Sequence, residues 1–150
     1  MIDSFMPLLV AAQGVDLADP EQARLALQRR FAPHGPGARA LNRELVRLLD
    51  EGKIAERGEL PVRWGRVAKA SEETLQFSID VVLMTGAGPR HRHPRGEVNY
   101  CVALEGSPTF EGQPAGWVVL GPETTHVPTV EGGKMLIVYL LPAGEIEFLA

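Results

Sequence analysis

From residue 60 on, short apolar runs alternate with breaks rich in glycine and proline. Candidate strands cover residues 62–68, 75–84, 97–104, 117–120 and 134–141. Between them lie Gly86-Ala87-Gly88-Pro89, Gly106-Ser107-Pro108, the stretch from Gly112 to Gly116, Gly121-Pro122 and Gly132-Gly133. Each break is a place where the chain turns easily, because glycine admits positive φ and proline fixes a kink and removes a donor. Many short strands with regular turn signals define an all-β sandwich or barrel.

Before residue 60 the period is helical. Asp19-Pro20-Glu21-Gln22 is a start signal: Asp19 caps, Pro20 fits the first helical position and Gln22 can close a capping box. That helix should run to about Phe31 and stop at Pro33 and Gly35-Pro36-Gly37. The next carries Leu41, Leu45, Leu48 and Leu49 on one stripe, with Gly52 as its C-terminal cap. A first helix is expected over residues 4–12. The chain thus divides into an N-terminal helical segment, 1–59, and a β-barrel, 60–150. The leucine stripe needs a partner surface, so the helices are expected to pack on the barrel.

The 150 residues suit one domain, and 45% hydrophobic with 23% charged residues describes a globular protein with a real core. A net charge of −4 argues against broad attraction to nucleic acid or anionic membranes. The leucine-striped helix mixes Arg43 and Arg47 with Glu44, Asp50 and Glu51, so it lacks the basic face of a DNA-reading helix. Cys101 is the single cysteine, which excludes an internal disulfide and favours a cytoplasmic location. The apolar run from Phe5 to Ala12 is short, contains Pro7 and follows Asp3, unlike a signal peptide or a membrane span.

The segment from His91 to Glu97 holds an H-x-H-x-x-x-E pattern. On an extended chain, side chains at i and i+2 share a face, so His91 and His93 can reach one point. Pro94 and Gly96 turn the chain, and Glu97 can bring a carboxylate to the same point from the next strand. His126, after the Gly121-Pro122 turn, offers a fourth ligand. Such a set suits one divalent transition metal (Fe, Zn, Mn or Ni) with coordination positions left open. The plain alternative is a solvated loop whose histidines share a basic run with Arg90, Arg92 and Arg95.

The pattern resembles the cupin superfamily, whose first motif is G, five residues, H-x-H, three or four residues, E, six residues, G. Here Gly86 is one residue closer to His91, and Gly106 two residues further from Glu97. Of the second motif, Gly116 and Pro122 match. Thr124 replaces a glycine, His126 arrives one residue early and the later asparagine is missing. The short gap from Ser107 to Ala115 implies a tight hairpin. The resemblance implies a mainly β, jelly-roll cupin barrel with the helical segment packed on it. A narrower likeness rests on Arg63-Trp-Gly-Arg66, His91-Arg-His-Pro-Arg-Gly-Glu97, Leu104-Glu-Gly106, Gly116-Trp-Val118, His126-Val-Pro-Thr-Val130 and Gly133-Lys-Met-Leu-Ile137. These blocks resemble the para-hydroxylaminobenzoate lyases of bacterial nitroaromatic breakdown.

If Glu97 points inward, alternation sends Asn99, Cys101, Ala103 and Glu105 the same way, and Val98, Tyr100, Val102 and Leu104 outward. The inward face is polar or small, as a cavity wall would be. The outward face is apolar and needs cover from the helices or from a second subunit, so a homodimer on β-sheet faces is expected. Glu105 is the expected proton shuttle. Arg90, Arg92, Asn99, Cys101 and Tyr139 are the expected substrate contacts, with Arg63, Arg66 and Arg95 as further candidates for holding a carboxylate. Trp64 and Trp117 read as core aromatics, and Cys101 as a small wall residue.

The resemblance implies a metal-dependent lyase that converts 4-hydroxylaminobenzoate, a small aromatic carboxylate, to protocatechuate and ammonia. Another cupin enzyme, a dioxygenase or isomerase, and a ligand sensor with a DNA-binding helical head are the alternatives.

Overall fold

A computed structural model describes residues 1–149. A 3-10 turn, Ile2–Phe5, leads into α1 (Met6–Ala12), followed by α2 (Pro20–Arg30) and α3 (Pro36–Asp50). Asp19 caps α2, its carboxylate accepting from the Gln22 amide at 3.3 Å. Gly52 takes a left-handed φ of 71° just past α3, where its amide and that of Lys53 close on Leu49 and Leu48 carbonyls. Among the described residues, no helix is long and apolar enough to cross a membrane.

The strands are β1 (Arg57–Glu59), β2 (Val62–Ala68), β3 (Phe77–Met84), β4 (His91–His93), β5 (Glu97–Phe110), β6 (Gly116–Leu120), β7 (Thr124–His126), β8 (Val130–Pro142) and β9 (Glu147–Phe148). They form a six-stranded sheet in the order β1-β2-β3-β8-β5-β6 and a three-stranded sheet in the order β7-β4-β9. All pairings are antiparallel. This is the mainly β, cupin-type architecture with an N-terminal helical layer.

The middle of the large sheet, β3, β6 and the adjoining parts of β5 and β8, is buried on both faces. Its outer face presents Val98, Tyr100, Val102, Val138 and Leu140 to a core shared with Leu8, Leu9, Leu27, Leu41, Leu45 and Leu48 of the helices. Its inner face carries Val82, Cys101, Val118, Ile137 and Tyr139. Double-sided burial is why most of β3 and the Met135–Leu141 part of β8 read as near-continuous apolar runs. Polar tips on the helical side are satisfied. Tyr100 Oη donates to Asn42 Oδ1 at 2.7 Å, and Trp117 Nε1 donates to the Phe31 carbonyl at 2.9 Å. Phe31, Tyr100 and Trp117 meet edge to face at centroid distances of 5.3–6.3 Å. The chain's own helices therefore cover the apolar face that motivated a dimer, and that argument for a second copy falls away.

Two expected turns are not turns. Gly106 pairs with Gly133 inside the long β5–β8 arm, and the chain reverses later, at Glu111-Gly112, in a tight hairpin. A bulge between Ala103 and Glu105 sets two β5 residues against Lys134.

Candidate metal centre

The large sheet supplies Glu97, and the small sheet supplies the histidines. β4 holds His91 and His93 on one face, and the β4–β7 register sets His91 directly opposite His126. Gly96 makes the link to β5. Its φ is +90°, and a Cβ there would lie 2.9 Å from the Leu120 carbonyl oxygen, so a side chain would be excluded twice over.

One nitrogen or oxygen from each of His91, His93, Glu97 and His126 lies within 4.8 Å of all the others. The Nε2 atoms of His91 and His126 are 3.0 Å apart. Glu97 oxygens lie 3.8 Å from His91 Nε2, 3.4 Å from His93 Nε2 and 3.6 Å from His126 Nε2. His91, His93 and Glu97 are at most 2% exposed.

The far side of each ring sets its tautomer. His91 Nδ1 faces the Pro89 carbonyl at 3.3 Å, which can only accept. Thr124 Oγ1 spends its proton on the Gly121 carbonyl at 2.6 Å and so accepts from His93 Nδ1 at 2.7 Å. His126 Nδ1 sits 3.0 Å from Glu111 Oε2, a close ion-pair contact short of hydrogen-bond alignment. Glu111 is itself fixed by the Thr129 amide, which donates to its Oε1 at 2.8 Å. With Nδ1 of His91 and His93 carrying hydrogen, their Nε2 lone pairs point into the cluster, and His126, faced by Glu111 and Glu97, turns its Nε2 to the same point and offers a lone pair once it gives up its proton.

That arrangement calls for a cation. His93 Nε2 and both Glu97 oxygens are buried without a hydrogen-bond partner, which is costly unless a positive charge sits among them. Burial opposes ionisation of Glu97, yet the rings of His126 and His91 hold its carboxyl down to about 2. Burial likewise works against charge on His126, and Glu111 and Glu97 overcome it and lift the ring to about 9. Burial pushes His93 below the ordinary imidazole range. An N/O donor set of this kind fits a divalent transition metal.

A cleft of about 580 Å³ opens onto the cluster at His91. Trp64, Val82 and Tyr139 line it from the large sheet, and Pro89, Pro128 and Phe148 from the other side. Tyr139 lies beside His91, with ring centroids 6.5 Å apart. Burial, then the nearby Glu97 charge, raises the Tyr139 hydroxyl well above the usual phenol range, so it stays a neutral donor. Burial also raises the Cys101 thiol, which faces the inner core as a wall residue. Asn99 is fully buried on the inner face two residues from Glu97, and neither amide atom has a partner.

Other expectations need correction. Glu105 does not share the inward face. The bulge ends the Glu97–Ala103 alternation, and Glu105 emerges exposed, paired with Lys134 at 2.5 Å. Arg92 is held on the outside by Glu123 and Glu147, and Arg90 is exposed and does not line the cleft. Trp64, 48% exposed, is a cleft wall and not a core residue. Sequence reasoning missed Glu111 and Thr124, which hold the histidine rings, and Asp80, which lines the cleft. Asp80 left a signal: it is the lone charge in the apolar run Phe77–Met84.

A jelly roll whose two sheets bring three histidines and a glutamate together at the end of an apolar cleft has the cupin-type fold with a candidate metal centre. The chain belongs to the PnbB 4-hydroxylaminobenzoate lyase family, whose model matches residues 10–148. It is 35% identical over 94 residues to a 4-hydroxylaminobenzoate lyase of Nocardioides sp. (strain LMS-CY) and 32% identical over 102 residues to one of Pseudomonas putida. Each match covers 57% of this chain, and 56% and 58% of those relatives, so the chain spans little more than half their length. Among solved structures, an RmlC-like cupin protein from Ralstonia eutropha JMP134 is similar with a TM-score of 0.45 and 20% identity, over 61% of this chain and 62% of that one. A cupin-like protein from Thermotoga maritima has a TM-score of 0.43 and 14% identity, over 59% and 76%.

Proposed function

We propose that the protein is a metal-dependent lyase that converts 4-hydroxylaminobenzoate to protocatechuate and ammonia. The observation that carries this reading is the convergence of three imidazole nitrogens and the Glu97 carboxylate at the inner end of an apolar cleft, in a chain of this family. His91, His93, Glu97 and His126 would hold the ion, which when bound supplies Lewis acidity and a source of hydroxide.

The net reaction balances without an oxidant. The N–O bond breaks as its hydroxyl takes a proton and leaves as water. One water then adds at the ring carbon beside the nitrogen, and a second replaces the nitrogen, which departs as ammonia. One water is released and two are taken up. The electron pair accepted by nitrogen on N–O cleavage matches the oxidation of the ring carbon.

The chain's own part is to bind and orient. Trp64 and Phe148 form apolar walls for the ring. Tyr139, a phenol that burial keeps neutral beside His91, can donate a hydrogen bond to a substrate oxygen in place of its weak contact with Met84 Sδ. The unpartnered Asn99 amide can hold a polar group beside Glu97. A neutral Cys101 thiol supplies no nucleophile.

The test is metal analysis of purified protein together with ammonia release from 4-hydroxylaminobenzoate, with oxygen uptake followed in parallel. We expect one divalent ion per chain, ammonia release in anaerobic buffer, and loss of both in His91→Ala and His126→Ala. Oxygen consumption with ring cleavage would replace this reading with a dioxygenase. Ligand binding without turnover in metal-replete protein would replace it with a sensor.

A further inference from the structure

The strand β2 alternates so that Val62, Trp64 and Arg66 line the cleft. Among the described residues that line it, Arg66 and His91 are the only basic ones. The other arginines near the motifs are engaged or placed elsewhere. Arg63 donates to the Ala55 carbonyl at 3.0 Å, Arg92 is clamped by Glu123 and Glu147, Arg95 pairs with Glu145 at 3.1 Å, and Arg90 stands outside the cleft.

Arg66 is also held in one orientation. Its Nε donates to Asp80 Oδ1 at 2.8 Å and its Nη2 to Asp80 Oδ2 at 3.2 Å, a side-on fork. Ser78 Oγ donates to Asp80 Oδ2 at 3.3 Å and steadies the carboxylate. A guanidinium has five N–H groups, so side-on pairing leaves its end, Nη1 and the second Nη2 hydrogen, for another planar anion. The sheet fixes where Arg66 stands relative to the cluster. Arg66 is opposite Asp80, and Asp80 is opposite Tyr139, whose ring adjoins His91. Two strand spacings, about 10 Å, separate Arg66 from Tyr139. A benzene ring with para substituents bridges that gap when each substituent makes a hydrogen bond at its end.

We infer that Arg66 is the carboxylate anchor of the cleft, that Asp80 is its positioning residue, and that together they select an aromatic ring whose anionic group lies opposite the reacting nitrogen. The inference rests on the aromatic-carboxylate reading of the substrate given above. It concerns recognition, and binding measurements test it apart from turnover.

The experiment is calorimetric titration of metal-loaded protein with 4-aminobenzoate, 3-aminobenzoate and aniline. The wild type should bind 4-aminobenzoate at least about tenfold more tightly than aniline, the scale of one charge-assisted pair at a half-exposed site, and more tightly than 3-aminobenzoate. Arg66→Gln should erase the preference over aniline while metal content stays at the wild-type level. The double variant Arg66→Gln/Asp80→Asn removes both charges and leaves no uncompensated carboxylate; it should show the same loss, and it serves if the single variant folds poorly. An unchanged preference in a folded variant, or none in the wild type, overturns the anchor. Ammonia release with an unchanged preference would reject the anchor and keep the lyase. An Arg66-dependent preference without ammonia release would reject the lyase and keep the anchor.

Discussion

Glu111 is not one of the four converging residues, yet the structure gives it control over one of them. Its Oε2 is 3.0 Å from His126 Nδ1, while its Oε1 accepts from the Thr129 amide. Glu111→Gln keeps the shape and an oxygen for Thr129, and removes the carboxylate that orients and polarises the His126 ring. Changes of this kind behind a ligating histidine weaken metal binding by about 10–100-fold, equivalent to about 1.4–2.8 kcal/mol. The Glu111 side chain is 21% exposed, so water takes over part of the role and the lower half of the range is expected. Competition against a chromophoric chelator measures the affinity directly. The expected result is a weaker site in Glu111→Gln that still fills at saturating metal, set against no filling in His126→Ala. Equal affinity in wild type and Glu111→Gln would refute the argument that this contact fixes the His126 tautomer and ring.

Two further predictions concern the shared core and the corrected proton shuttle. Leu45 is fully buried between α3 and the sheet, so Leu45→Ala should cost about 2–5 kcal/mol in urea unfolding; a variant with an unchanged midpoint would show that the helical segment and barrel do not share one core. Glu105→Gln removes only an exposed pair with Lys134 and should leave metal content and ammonia release within about twofold of wild type, since such pairs contribute little; a loss of turnover at full metal loading would return Glu105 to the chemistry.

What the sequence showed and what it hid follow from how far each feature depends on distant parts of the chain. The strand β3 and the Met135–Leu141 part of β8 are legible as apolar runs because they lie in the middle of the sheet, where both faces are buried. The four-residue cluster was legible because i, i+2 alternation on an extended segment is a local rule. β4, β7 and β9, of three, three and two residues, have no period to read and exist because they pair with one another. Glu105 was misplaced because alternation was carried through a bulge. That bulge sits beside Gly133, where a Cβ would lie 1.9 Å from the Glu105 carbonyl oxygen, a contact visible only once β5 and β8 are paired. Among the candidate arginines, nearness to the histidines in sequence is not nearness to the cleft: the alternation that turns His91 and His93 inward turns Arg92 outward, where Glu123 and Glu147 hold it. Arg66, 25 residues before His91, shares the parity of Val62 and Trp64 and reaches the cleft. Parity along a strand, not distance along the chain, decides which side chains enter the cleft.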